Sequence, residues 1–204
     1  MRRRYFDHIA ATPVHPDVMA AELPFLREKF GNPQSLHSDG QAALAAVDEA
    51  REKVAALVGA KPEEIVFTSS GSESNNFAVK GIALAQQARG KHLVVSAVEH
   101  PSILNAVKSL EKLGFRASIV PVDRFGRVDP ADVEKALTPE TVLVSVMMAN
   151  SEVGTIEPVS AIARVCRPRK VLVHTDAVAA AGTIPIDVQA LDVDALSLSA
   201  NPLY

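Results

Sequence analysis

The chain has no tryptophan and only 4% aromatic residues. That argues against an aromatic platform for carbohydrate or single-stranded nucleic acid. It has one cysteine, Cys166. A lone cysteine excludes an internal disulfide framework and fits a reducing compartment, so a cytoplasmic location is expected. The net charge is only −3, which offers no field for nucleic acid or an anionic membrane, and neither is expected as a partner. No uninterrupted apolar stretch is long enough to span a bilayer. Arg2-Arg3-Arg4 is not followed by the apolar run of a signal peptide. The six histidines lack the spacing of metal ligands, so no metal is expected.

The remaining composition, 48% apolar and 22% charged over 204 residues, can build one large core. No internal repeat or low-complexity segment interrupts it. Apolar periodicity predicts a helix from Pro16 to Arg27, with Pro16 suited to its first turn. A loop at Phe30-Gly31-Asn32-Pro33-Gln34-Ser35 precedes a longer helix from Gly40 to Val58, closed by Gly59. From there strands and helices alternate. Strands are expected at Ile65-Val66-Phe67, His92 to Ser96, Arg116 to Val122, Thr141 to Met147, Lys170 to His174 and Ala195 to Leu198. Helices are expected from Ser72, from Pro101 to Gly114, Pro130 to Leu137 and Val159 to Val165. Apolar strands separated by amphipathic helices imply a three-layer α/β/α sandwich around a mainly parallel sheet. Ligands bind such sheets at the carboxyl ends of the strands.

Four polar segments fall at those ends: Thr68 to Asn76, Val98-Glu99-His100, His174-Thr175-Asp176-Ala177 and Ser197-Leu198-Ser199-Ala200. Together they read as a pocket for pyridoxal phosphate (PLP). The turn at Ser69 to Asn75 offers backbone N–H groups and a helix dipole to a phosphate. Gly71 lets the backbone approach closely, and Ser72 can cap the helix or donate to an anion. The same turn reads equally as an ordinary capped helix start. His100 can stack on a planar ring, or can simply cap the helix that starts at Pro101. Asp176 can pair with a protonated pyridine nitrogen, or can organise the turn after its strand. Ser199 can supply a further phosphate hydroxyl, although a lone serine means little. Cys166 sits in a helical run and reads as a small buried apolar residue.

These residues make the chain resemble the N-terminal half of a cysteine desulfurase of the nitrogen-fixation and iron–sulfur-cluster type. Those enzymes belong to the class V aminotransferase superfamily, with PLP fold type I. The resemblance runs from Tyr5-Phe6-Asp7 to the end. It is carried by Phe30-Gly31-Asn32-Pro33, Ser35-Leu36-His37-Ser38, Phe67-Thr68-Ser69, Glu73-Ser74-Asn75-Asn76, Glu152-Val153-Gly154-Thr155 and His174-Thr175-Asp176-Ala177. It implies a homodimeric PLP enzyme that takes sulfur from L-cysteine through a loop cysteine and passes it to an iron–sulfur scaffold or another acceptor protein. By resemblance, Gly71, Ser72 and Ser199 match phosphate-binding positions, His100 the ring-stacking histidine and Asp176 the partner of the pyridine nitrogen. Ser151 stands where the family has an asparagine that contacts cofactor or substrate.

Departures from the family pattern cluster around the reactive carbon. The family's Ala-His-Lys reads Ala200-Asn201-Pro202, so the lysine that holds PLP covalently is replaced by Pro202. The glutamine that contacts the phenolic oxygen falls at Ala179. Near the start, the family's Asp-Asn-Ala-Ala-Thr-Thr-Pro reads Asp7-His8-Ile9-Ala10-Ala11-Thr12-Pro13. The expectation is therefore no catalytic residue in this chain, and non-covalent PLP if PLP binds. The domain reading is an N-terminal arm over 1–14 and a PLP-binding large domain over 15–204. That domain is expected to be truncated, lacking its last strand and a small C-terminal domain. In the family fold that strand lies antiparallel between the strands here at Ile65 to Phe67 and Ala195 to Leu198. Three functions follow: a desulfurase-family enzyme, an inactive PLP-binding or scaffold homologue, or a non-functional fragment of a longer protein.

Overall fold

A computed structural model describes residues 4–8 and 10–203, without the Pro202 side chain. The comparison at Ile9 and the side chain at the family's lysine position therefore lie outside the described residues. The chain resolves into two compact units, Met1–Phe67 with Ala200–Tyr204, and Thr68–Ser199.

The first unit is built from helices α1 (Pro16–Arg27) and α2 (Ser38–Val58). Both are capped by histidine. His15 Nδ1 accepts from Asp17 N–H, and His37 Nδ1 accepts from Gly40 N–H. α2 ends where Gly59 takes a left-handed conformation, φ 71°, which glycine adopts without steric cost. Gly40 is required for a different reason. A Cβ there would stand 2.2 Å from the carbonyl oxygen of Ser35, so only glycine lets the Asn32–Ser35 loop fold back onto α2. α1 buries none of its residues and α2 buries Gly40, Ala43, Ala55 and Val58.

The strand expected at Ile65-Val66-Phe67 does not form. A 3-10 turn at Pro62–Glu64 leads into an extended segment that joins no ladder. Its backbone is satisfied within the unit instead. Ile65 N–H donates to Pro62 O, and the Arg51 guanidinium donates to Ile65 O. With those groups committed, pairing has less to offer the segment.

The second unit holds the sheet. Its strands are β1 (His92–Ser96), β2 (Arg116–Val120), β3 (Thr141–Ser145), β4 (Leu172–Asp176) and β5 (Ala195–Ser197). They pair in the order β2-β1-β3-β4-β5, every pair parallel. β4 starts two residues later than periodicity suggested. Lys170 takes a left-handed turn, φ 54°, after the 3-10 turn Arg167–Arg169, and the ladder cannot begin there.

The helices are α3 (Gly71–Ala85), α4 (Pro101–Glu111), α5 (Pro130–Ala136), α6 (Val159–Cys166) and the short α7 (Val188–Leu191). α7 was not foreseen. Side-chain alternation sorts them onto two faces. Leu93, Val95 and Leu143 pack with Val79 and Ala83 of α3 and Ile103, Ala106, Val107 and Leu110 of α4. Val94, Val144 and Val173 pack with Val133 of α5 and Ile162, Ala163 and Cys166 of α6. This unit is the expected α/β/α sandwich. No described helix is long and apolar enough to cross a membrane.

Candidate cofactor site

The strand order reverses between β1 and β3. In open parallel sheets such a point opens a crevice beyond the carboxyl ends. Glu99 bridges it. Its Oε1 accepts from Ser96 Oγ at 2.6 Å and from Met147 N–H at 2.8 Å, across the ends of β1 and β3. Burial pushes the Glu99 carboxyl up to about 8, so it is a neutral acid at pH 7.

α3 brings the other segments together. A Cβ on Gly71 would meet Val178 Cγ2 at 2.7 Å and Ser199 Cβ at 3.4 Å. The helix N-terminus therefore rests directly against the segments that follow β4 and β5, and only glycine allows it. One turn on, Ser74 donates to Ser197 at 3.0 Å. Asn75, on the same face, donates to Asp176 Oδ2 at 2.7 Å and to Ser102 Oγ at 2.9 Å. Ser102 in turn contacts His100 Nδ1 at 2.7 Å. Gly71 and Ser199 thus adjoin, and His100 and Asp176 join one hydrogen-bonded chain.

Two expectations about the turn change. The helix starts at Gly71, and its cap is Ser70, which accepts from Glu73 N–H, rather than Ser72. Glu73 returns to Ser69, accepting from its hydroxyl at 2.7 Å and from its N–H. Those bonds hold the Glu73 carboxyl below the usual carboxylate range. Ser72 is left exposed in the first turn of α3. Ser151 is exposed too, in the turn 151–153. That turn is organised by Asn150, whose Oδ1 accepts from Glu152 and Val153 N–H at 2.9 and 3.0 Å. The Asn150 amide also donates to Val98 O at 3.3 Å, which ties Ser151's turn to the segment that carries Glu99 and His100.

Asp176 is buried at the end of β4. Its Oδ1 accepts from Val178 N–H at 2.9 Å, so each carboxylate oxygen receives one N–H donor. Beneath it, His174 is fully buried between Ser145 Oγ at 2.9 Å and Ser197 Oγ at 3.0 Å. Burial lowers the imidazole to about 4. Cys166 lies in the core as expected, and burial pushes its thiol up to about 12.

Sequence reasoning missed Asn75, Ser102 and Asn150 as organisers of the site. Asn75 did carry a signal, four residues after Gly71 and therefore on its face of a helix. Ser102 carried none beyond its place after Pro101.

Comparison with known proteins adds an independent line. Residues 4–204 match the aminotransferase class-V family model. The chain is 49% identical over 203 residues to the cysteine desulfurase IscS of Dictyoglomus turgidum, covering 100% of this chain and 52% of that protein. It is 45% identical to the mouse cysteine desulfurase, covering 100% of this chain and 45% of that one. A solved NifS-like protein superposes with a TM-score of 0.95 at 41% identity, covering 98% of this chain and 56% of that chain. A structure described as SspA in complex with cysteine gives a TM-score of 0.95 at 37% identity, covering 99% and 58%. The chain spans about half the length of the curated relatives it matches, and that half is their N-terminal one. Strand order and these matches agree: the chain belongs to the aminotransferase class-V family, and it is similar over its whole length to the N-terminal half of cysteine desulfurases.

Proposed function

We propose that this chain is a PLP-binding member of the cysteine desulfurases that holds the cofactor without a covalent bond and does not itself turn over L-cysteine. The family is PLP-dependent. The observation that carries the reading is Asp176, buried at a strand end and receiving one N–H donor on each oxygen. A carboxylate so held keeps lone pairs for a third donor such as a protonated pyridine nitrogen. The N–H groups opening α3 at Gly71, packed against the segment that carries Ser199, suit a phosphate. The residues present therefore fit the group.

Gly71, Ser72 and Ser199 would hold the phosphate, His100 would stack on the ring, and Asp176 would pair with its nitrogen. Ser151 would stand toward the substrate. When bound, PLP supplies an electron sink. The chain's own contribution ends at binding and orientation. Pro202, two residues after Ala200, has neither an amine nor a backbone N–H. None of the chain's lysines adjoins Ser199-Ala200. Cys166, buried and with its thiol raised to about 12, cannot serve as a sulfur-accepting thiolate.

In this reading residues 15–204 form the cofactor-binding domain, with 1–14 as an arm. The protein acts in the cytoplasm as a homodimer, with an iron–sulfur scaffold or sulfur-acceptor protein as partner. The departures at Ser151, Ala179, Asn201 and Pro202 favour a binding or scaffold role over desulfuration.

The test combines PLP titration, borohydride reduction with mass spectrometry, and a sulfide assay with L-cysteine and a reductant. We expect saturable PLP binding that dialysis reverses, no pyridoxyl-lysine, and no sustained sulfide release. One lysine modified at stoichiometric yield would sink the reading. So would turnover that disappears in Cys166→Ala, which would make that thiol the nucleophile.

A further inference from the structure

Asn75 is 1% exposed and commits both hydrogens of its amide nitrogen, one to Asp176 Oδ2 at 2.7 Å and one to Ser102 Oγ at 2.9 Å. Its Oδ1 is buried without a partner. The opposite rotamer would set that oxygen against the Asp176 carboxylate, so charge decides the orientation. An unsatisfied acceptor is the lesser cost.

The direction of the remaining bonds follows. Ser102 N–H donates to His100 Nδ1 at 3.2 Å as the cap of α4. A ring nitrogen that accepts an N–H carries no proton. The 2.7 Å contact between Ser102 Oγ and the same nitrogen must then run from hydroxyl to ring. Ser102 Oγ accepts from Asn75 and donates to His100, so polarity is fixed from Asp176 to the imidazole. In neutral His100 the ring proton is on Nε2.

We infer that Asn75 is a positioning residue: one amide orients the Asp176 carboxylate and, by donating to Ser102 Oγ, turns that hydroxyl's proton onto His100 Nδ1, where it reinforces the Nε2–H tautomer that the Ser102 backbone N–H already favours. The assignment of tautomer and carboxylate orientation stands on hydrogen bonds alone. Its consequence for PLP rests on the function proposed above. In that site a single side chain would hold the two groups that flank the cofactor ring, one at its nitrogen and one on its face.

The experiment reads both levels in the full chain. Nitrogen-15 NMR of ring-labelled histidine, without PLP, reports the His100 tautomer. PLP titration, followed by absorbance, reports affinity and ring protonation. The parent should show a proton on Nε2 and a bare Nδ1. Asn75→Ala should weaken that preference and lower PLP affinity about 30-fold, as expected when a buried carboxylate loses a donor. Ser102→Ala should disturb the tautomer similarly but cost only about threefold in affinity, because Asn75 still holds Asp176. Ser102→Thr should restore both. A parent with the proton on Nδ1, or tautomers unmoved by both alanine variants, overturns the inference. Equal PLP affinity in the parent and Asn75→Ala overturns it as well. If Asn75→Ala does not fold by circular dichroism, the Ser102 pair decides, and an unmoved tautomer there is fatal. Tautomers that respond as expected in a chain that binds no PLP uphold the positioning assignment and refute the cofactor reading.

Discussion

The same strands carry a polar cluster at each end, and the two clusters are finished differently. At the amino end, buried His92 has both ring nitrogens in use, Nδ1 with Thr141 Oγ1 at 2.8 Å and Nε2 with Ser118 Oγ at 3.0 Å. Thr138 closes the group, its N–H donating to Thr141 Oγ1 at 2.7 Å. At and beyond the carboxyl end, the buried atoms without a partner among the described residues are Asn75 Oδ1, Glu99 Oε2, Thr175 Oγ1 and Glu157 Oε1. Buried polar groups are normally satisfied because leaving one bare costs about 1–3 kcal/mol. The polar cluster at the amino end closes on itself, while the carboxyl end leaves these four atoms bare.

The largest effect expected is on the pH dependence of Glu99. Burial raises its carboxyl from 4.5 to about 8 in the folded chain. The folded state therefore keeps a proton that the unfolded chain releases. Its stabilising contribution is complete below pH 4.5 and is lost as pH rises through about 8, by about 5 kcal/mol. Glu99→Gln keeps an acceptor for Ser96 and Met147 but cannot ionise. Urea unfolding at pH 5 and pH 8 should show the parent falling relative to the variant by about two thirds of that amount. Parallel profiles would refute the buried neutral acid.

His174→Ala should cost about 3 kcal/mol at pH 7, by leaving a cavity, stranding Ser145 and removing one of the two partners of Ser197. The parent should also weaken in acid. The folded imidazole sits near 4 against an ordinary 6.5, so the unfolded chain takes up a proton that the folded chain refuses. Stability is complete above about pH 6.5 and declines as pH falls toward 4. Loss of that decline in His174→Ala would confirm its source, and an unchanged acid limb would exclude it.

The two ends can be separated directly. Asp176→Asn should lower PLP affinity about 30-fold, close to 2 kcal/mol. Thr141→Val, at the amino end, should cost about 1–2 kcal/mol of stability and leave PLP affinity within about twofold. A Thr141→Val variant that loses PLP in step with stability would erase the distinction between the ends.

The smallest effect is at the surface. Arg116 and Glu140 form an exposed ion pair beside the His92 cluster. Arg116→Ala should change stability by about 0.5 kcal/mol or less, and less still in high salt. A larger loss would mean that the guanidinium supports His92 itself.

Much of this was legible in residue order, and the failures have physical causes. Pro16–Arg27 and His92–Ser96 stand where periodicity put them, because each carries its own signal: Pro at a helix start, and the unbroken apolar run Leu93-Val94-Val95 in a buried strand. Ile65 to Phe67 has the β-rich composition of a strand but no ladder, because composition cannot supply a neighbour. α7 was invisible, since its four residues are held by Asp187 accepting from Gln189 and Ala190 N–H rather than by periodicity. In the site, Gly71 and Asp176 could be singled out by residue type at a strand end. Ser72 as the cap could not be preferred over Ser70, because both hydroxyls suit that place and only the backbone path chooses.

Residue order by itself determined the alternation of strands and helices, the two-faced sheet and the family, and it placed Pro202 where the resemblance puts a lysine. Each follows from local chemistry or from identity at one position. Tertiary structure alone decided that β1 and β3 flank the crevice and that Glu99 closes it as a neutral acid. It also decided that one amide, Asn75, joins a carboxylate 101 positions away to a serine 27 positions away. Those outcomes depend on which strands become neighbours and how far water is excluded between them. Both are properties of the packed chain, and no short window of sequence contains them.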